Sequence, residues 1–226
     1  FENSTHIIKD ETLSLTTDIK VIPEYSVDSF YHFVETEESS TTLQLNKIDE
    51  DFCFLFVGQW TTSKNDDGGR KNISSLIKTF TVAFASSEIK PALILKTNGT
   101  SYSTPDYYEM QKKINDITDE YDDLVKPNIY LLHGDISSTE LPSLYSHPKV
   151  KSFITHTRGE GFGRPLLEAT LCGCPVIAPK YSGYLDFLNE KQSVLLKYKE
   201  KKVGITNELF HADSVWADVD ESYSAK

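Results

Sequence analysis

From Asp51 onward the chain alternates short, continuously apolar runs with longer stretches whose apolar residues recur every three or four positions. Few folds accept that rhythm. Phe52 to Val57 is apolar at every position and ends at Gly58, the pattern of a strand buried on both faces. The polar stretch from Thr61 to Gly69 closes on Asp-Asp-Gly-Gly and reads as a loop. Behind it Ile73, Leu76, Ile77, Phe80 and Phe84 share a helical face, so a helix begins near Asn72. Ala92 to Leu95 reads as a second strand. Pro105, at a first helical position, opens a helix whose stripe runs through Tyr107, Met110, Ile114, Ile117 and Tyr121. The second half repeats the pattern: a strand at Ile129 to Leu132, then a capping box, Ser137 to Glu140, starting a short helix through Tyr145. Val150 to Thr155 is a further strand, Gly159 to Gly163 a glycine-rich turn, and Pro165 to Leu171 a helix stopped by Gly173 and Pro175. A strand at Val176 to Ala178, a short helix at Tyr184 to Leu188 and a last strand at Ser193 to Leu196 complete it. Strands alternating with helices imply an α/β architecture, a parallel sheet flanked by helices.

The flanks are less regular. Residues 1–50 hold two short apolar patches, Ile19 to Ile22 running into Pro23, and Phe30 to Val34, followed by an acidic, Ser/Thr-rich stretch from Glu35 to Thr42. They read as the tail of a connection into an α/β domain spanning 51–206. Residues 207–226 carry Phe210 and Trp216 but no long periodic helix, and form a trailing segment. The 23 Lys and Arg against 34 Asp and Glu give a net charge of −11. A broad nucleic-acid footprint needs a basic surface, so none is expected, while a local basic pocket for one phosphate group is compatible with that balance. No apolar run approaches the ~18 residues of a membrane span, and no signal pattern opens the chain. Cys53, Cys172 and Cys174 make no disulfide framework. Cys172 and Cys174 are too closely spaced for the usual metal pair and no His or Cys cluster follows, so no metal site is expected. Reduced thiols without an export signal point to a cytoplasmic setting. Asn3, Asn72 and Asn98 stand in Asn-x-Ser/Thr triplets, which are common by chance.

In an open parallel sheet, ligands bind beyond the carboxyl ends of the strands. Three segments fall there: Gly58 with the loop to Arg70 and Lys71; Lys96-Thr97-Asn98; and Thr155 to Pro165. The last carries the most chemistry. Gly161 and Gly163 let a backbone come close to a ligand, and Pro165 places a helix start beside them. An anion is the natural guest of such a start, with Arg70 and Lys71 as countercharge. A phosphate-bearing ligand follows. Glu160 and Glu168 would repel phosphate and are better used on hydroxyl groups, although a turn residue and a solvated helix residue would show the same letters.

The stretch Glu160-Gly-Phe-Gly-Arg-Pro-Leu-Leu-Glu168-Ala, followed by Cys172-Gly-Cys-Pro-Val176, resembles the Glu-x7-Glu signature of retaining glycosyltransferases of the GT-B fold, group 1 or family 4. Phe56-Val-Gly58 and Arg70-Lys-Asn72 are similar to the start of that family's donor-binding domain, Pro23 to its interdomain connection, and Trp216-Ala-Asp218 to its return segment. The resemblance implies a Rossmann-like sheet forming the donor-binding half of the enzyme. It implies that Glu160 holds hydroxyls of the donor sugar, that the amides of Gly161, Phe162 and Gly163 meet the sugar and diphosphate, and that Glu168 accepts from the ribose hydroxyls. Arg70 and Lys71 would neutralise the leaving diphosphate, with no metal and no cofactor beyond the nucleoside-diphosphate sugar itself. A glycan or lipid-linked acceptor would be held by an amino-terminal domain, for which residues 1–50 are too few.

The chain departs from the family at two places. Gln59 follows Gly58 where an Arg is usual, which leaves open whether Arg70, Lys71 or both contact phosphate. Lys96-Thr97-Asn98 replaces glycines, adding either a third cation or a solvated loop. His133-Gly134 lies where the family places the base, and His156 stands at a strand end; each is compatible with a structural role. A nucleotide-sugar-binding module without catalysis, and a GT-B relative such as a sugar-nucleotide epimerase, are the competing readings.

Overall fold

The apolar runs pair in one sheet. The computed structural model describes residues 4–8, 11–15, 24–26, 39–61, 69–204 and 211–225. β1 (Ser4–Ile8) and β2 (Glu11–Leu15) form an antiparallel pair, and α1 (Ser40–Leu45) leads into the main sheet. That sheet contains β3 (Cys53–Val57), β4 (Ala92–Lys96), β5 (Ile129–Leu132), β6 (Val150–Ile154), β7 (Val176–Pro179) and β8 (Ser193–Leu196), all parallel. Their order is β5-β4-β3-β6-β7-β8. The chain builds outward from β3, then returns past it to β6. That reversal opens a crevice between β3 and β6 at their carboxyl ends, the place where doubly wound sheets bind ligands.

Alternation along each strand sorts the core into two layers. Leu93, Leu95 and Phe56 pack against α2 (Ile73–Phe84) and α3 (Thr104–Thr118) on one face. Leu55, Ile94, Phe153 and Val176 meet α1, α4 (Leu141–Tyr145) and α5 (Arg164–Leu171) on the other. Of the helical stripes read from the sequence, Ile73, Leu76, Ile77 and Phe80 on α2 and Met110 and Ile114 on α3 are buried, whereas Tyr107 is exposed and Tyr121 lies beyond the end of α3. The α/β sheet flanked by helices is as expected.

Several boundaries differ. Ser103 caps α3, accepting from the Asp106 amide, so Pro105 is the second helical residue rather than the first. The Ser137 hydroxyl does accept from the Glu140 amide at 3.2 Å and bond the Glu140 carboxylate. This box closes a turn, and the helix starts only at Leu141. The expected helix at Tyr184 to Leu188 is a single 3₁₀ turn, Gly183–Asp186. Four strands were not expected at all: the β1–β2 pair, and β9 (Tyr198–Lys202) with β10 (Val215–Val219), an antiparallel ribbon. β9 reads Tyr-Lys-Glu-Lys-Lys and is largely exposed, so no apolar alternation announces it. A short helix, α6 (Glu221–Ser224), follows β10. The readings of Ile19 to Pro23, Phe30 to Val34, the acidic run 35–38, the loop 62–68 and Phe210 lie outside the described residues. Among the described residues no helix is long and apolar enough to cross a membrane.

Candidate functional site

Two loops meet at the β3/β6 crevice, and their backbones are joined directly. The Arg158 amide donates to the Arg70 carbonyl at 2.8 Å, and the Arg158 guanidinium donates to the Gly69 carbonyl at 3.3 Å. Asn72 caps α2 in the left-handed region at φ 50°, so the chain turns sharply after Lys71. This turn brings both preceding cations to one carboxylate. Arg70 Nη1 donates to Glu160 Oε2 at 2.5 Å and to the Gly159 carbonyl at 2.7 Å. Lys71 Nζ donates to Glu160 Oε1 at 2.6 Å, and the Thr157 hydroxyl to the same oxygen at 2.8 Å.

The Glu160 side chain is only 9% exposed, and Arg70's is 39%. Burial pushes the Glu160 carboxyl up, but Lys71 and Arg70 together pull it below the ordinary carboxylate value. Burial lowers the Lys71 ammonium despite the opposing pull of Glu160. Two cations share one carboxylate, so the cluster carries one excess positive charge in a half-buried crevice. It is suited to a polyanion.

A third loop holds Glu160 from behind. The Ser182 hydroxyl accepts from the Glu160 amide at 2.9 Å, and the Gly183 amide donates to the Glu160 carbonyl at 3.2 Å. A Cβ on Gly183 would stand 1.8 Å from the Gly161 carbonyl oxygen. Gly183→Ala therefore has to push the glycine turn away. The expected loss is about 1–3 kcal/mol in urea denaturation, with impaired ligand binding; a variant of unchanged stability would show that the turn is not held there.

Gly163 caps α5 at φ 91°, with Leu166 and Tyr184 3.2 Å from any added Cβ. Gly161 lies open at the cleft, while the Phe162 ring packs on Phe187 with centroids 5.2 Å apart. Gly58 sits beside the Lys71 stem, 3.6 Å from where its Cβ would be. Glu160, Arg70, Lys71 and Gly161 are thus together at the crevice.

Glu168 is placed differently. It lies on the core side of α5, 3% exposed, accepting from the Tyr145 hydroxyl at 3.2 Å and from Arg164 at 3.4 Å. Burial raises its carboxyl above the ordinary value, partly offset by Arg164. Lys96 reaches the other way, toward β5, donating to the Gly134 carbonyl at 2.5 Å, with the Tyr102 ring 5.6 Å away. His133 pairs with Asp106 at 2.8 Å beside it. Burial works against Asp106, yet His133 and the amides of residues 99–101 hold its carboxyl down at about 2.

His156 does not face the crevice. It is fully buried between the Ser75 and Ser224 hydroxyls, at 3.2 and 3.1 Å, and joins α2 to α6. Thr157 and Arg158 were missed as individual members of the site. Thr157 and Arg158 stood inside the singled-out segment, but no spacing says which side of the loop they take.

Matches to known proteins agree with the fold. The model of the family described as Glycosyl transferases group 1 matches residues 41–204. A comparison with curated proteins gave no match. Among solved structures the chain is similar to the C-terminal domain of LpcC, a glycosyl transferase group 1 family protein of Francisella tularensis. The identity is 19% and the TM-score 0.52, over 77% of this chain and 80% of that one. WaaG, a glycosyltransferase involved in lipopolysaccharide biosynthesis, matches at 15% identity and TM-score 0.54, over 79% and 42%. The N-terminal domain of a Candida albicans trehalose-6-phosphate phosphatase matches at 14% and 0.55, over 85% and 41%. At these identities the likeness is one of fold, and the chain spans about two-fifths of the latter two. The match to the family model runs from α1 through β9 and takes in every residue of the Arg70–Lys71–Glu160 cluster: the chain belongs to the glycosyl transferases group 1 family.

Proposed function

We propose that the chain is the donor-binding half of a retaining, metal-independent hexosyltransferase of the Glu-x7-Glu type. Its substrate is a nucleoside-diphosphate sugar, and a glycan or lipid-linked acceptor is presented by a further domain. In this reading residues 51–206 are the donor domain, 1–50 the connection from the acceptor half and 207–226 the return segment, working in the cytoplasm. The observation that carries it is the convergence of Arg70 and Lys71 on Glu160 at the β3/β6 crevice.

Without ligand, Glu160 holds both cations and offsets one of their two charges. A diphosphate brings more negative charge than one carboxylate and takes over the guanidinium and ammonium, which releases Glu160 to accept from sugar hydroxyls. As the bond to the diphosphate breaks, charge grows on its oxygens, where Arg70, Lys71 and the amides at the start of α5 already point. That supplies the electrostatic role a metal would play. Attack from the face that the diphosphate leaves gives retention without a covalent nucleophile. Glu168, oriented by Tyr145, is assigned to the ribose hydroxyls, and Lys96 to the donor's outer end over β4 and β5.

Titration calorimetry with UDP, GDP and ADP, each with and without EDTA, tests this. At least one should bind, equally well with EDTA. Glu168→Gln should weaken that binding roughly ten- to a hundredfold, the loss of a charged acceptor worth ~1.5–3 kcal/mol. No binding, or binding abolished by EDTA, would overturn the proposal.

A further inference from the structure

We propose that Arg158 is a positioning residue for phosphate recognition: it fixes the turn that aims Arg70 and Lys71, and it anchors that turn to β10. This rests on the donor-binding reading above and adds to it the group that sets the geometry of its two cations.

Arg70 and Lys71 stand between two left-handed residues, Gly69 at φ 62° and Asn72 at φ 50°. Such a turn persists only where its surroundings over-determine it, and Asn72 lacks the freedom of a glycine. Arg158 supplies the constraint. Its guanidinium donates to the Gly69 carbonyl at 3.3 Å and its amide to the Arg70 carbonyl at 2.8 Å. Those carbonyls belong to the two peptide units that flank the Arg70 Cα, so the direction in which the Arg70 side chain leaves the backbone is set. The Arg70 side chain is itself 39% exposed, and its aim depends on that base and on its bonds to Glu160 and the Gly159 carbonyl. Once a diphosphate displaces Glu160, the base carries most of the constraint.

The other side of Arg158 is tied to the ribbon. Nε and Nη2 both donate to Asp218 Oδ1, at 3.1 and 3.0 Å, and the guanidinium lies 4.7 Å from the Trp216 ring centroid. The Arg158 carbonyl accepts from the Ala217 amide at 2.9 Å. A buried cation is tolerated only when it is paired and bonded, and a planar fork that also stacks on an aromatic face meets that need where an ammonium does not. One residue thus bridges a turn 89 positions earlier and a strand 60 positions later.

Arg70 and Arg158 both border the cleft beside the glycine turn. At 3% exposure, with its N–H groups engaged by Asp218 and Gly69, Arg158 offers a ligand almost no surface. Its effect on a phosphate therefore passes through Arg70.

Titration calorimetry with UDP, GDP and ADP, their monophosphates and inorganic pyrophosphate compares the parent with Arg158→Lys, Arg70→Gln and the double variant. Arg158→Lys keeps the charge and loses the fork. It should weaken the tightest-binding diphosphate at least tenfold, the loss of one aimed charged contact, and the matching monophosphate less. In the Arg70→Gln background the same change should cost less than threefold, because the group it aims is gone. Asp218→Asn, which weakens the anchor without touching the loop, should give the same pattern at three- to tenfold, and it decides the matter where Arg158→Lys does not fold. Urea denaturation accompanies each titration. A role in folding alone lowers the midpoint and leaves the affinity of the folded protein unchanged, which overturns the proposal. Equal losses with and without Arg70 mean that Arg158 meets the phosphate itself, and overturn it too. Both results leave the donor-binding reading standing. If the parent binds no nucleotide, that reading falls and pyrophosphate decides the role of Arg158 by the same comparison; a parent that binds neither overturns both.

Discussion

Glu160→Gln is expected to destabilise the unliganded protein while strengthening its grip on a bare nucleoside diphosphate. Removing the carboxylate leaves Arg70 and Lys71 side by side without their shared partner. Breaking a buried pair in this way costs ~3–5 kcal/mol; the lower end, about 3 kcal/mol, applies because Arg70 keeps contact with water. The same change removes the group that competes with phosphate for both cations, so affinity should rise several-fold. Ligand at a hundred times its Kd then restores about 2.7 kcal/mol, nearly the whole deficit. Urea denaturation with and without the tightest-binding nucleotide, beside calorimetry, reads both signs. A variant that is as stable as the parent, or that binds the bare nucleotide more weakly, would show that Glu160 does not hold the cations in reserve.

The second large effect is a loss of stability on mild acidification. Burial lowers the His156 pKa from 6.5 to about 3, so between these values the unfolded chain takes a proton that the folded chain refuses. Stability is then complete above pH 6.5 and falls as the pH drops, by ~1.4 kcal/mol per unit, or about 2 kcal/mol between pH 6.5 and 5. His147, also lowered by burial, adds in the same sense. The depressed carboxyls of Glu160 and Asp106 have the same sign but act at lower pH. Urea midpoints from pH 7 to 5 should show this slope in the parent and a much smaller one in His156→Gln, whose amide can still bond Ser75 and Ser224. An equal slope in the variant would place the acid sensitivity elsewhere.

The order of strands and helices from β3 to β8 was legible in the letters because a parallel strand buried on both faces must be apolar throughout, and a helix covering it must show a stripe. Phe52 to Val57 and the α2 stripe carry that information locally. So do the glycines of the turn at 159–163, whose conformation is a property of the residue itself. The ribbon was not legible. β9 is a charged, largely exposed strand paired to β10 across twelve intervening residues, and such a strand carries no apolar period.

The candidate site divides along the same line. That Glu160, Arg70 and Lys71 matter could be read from their positions at strand ends and from the Glu-x7-Glu resemblance. That all three close on each other, ninety residues apart, was decided by the β3/β6 adjacency and by the left-handed turn at Asn72. Glu168 and Lys96 show the limit most plainly. A helix position says that a side chain lies on a given stripe, but Tyr145, from α4, makes the Glu168 stripe an interior one. A strand end says that Lys96 lies at the rim, but the Gly134 carbonyl of the neighbouring strand's loop draws it toward β5. Sequence by itself determined which residues stand at the rim of the sheet, because burial and backbone preference act along the chain. Tertiary structure alone decided which of them touch, because Coulomb attraction and hydrogen bonding depend on distances in space that the chain sets only once the sheet is wound.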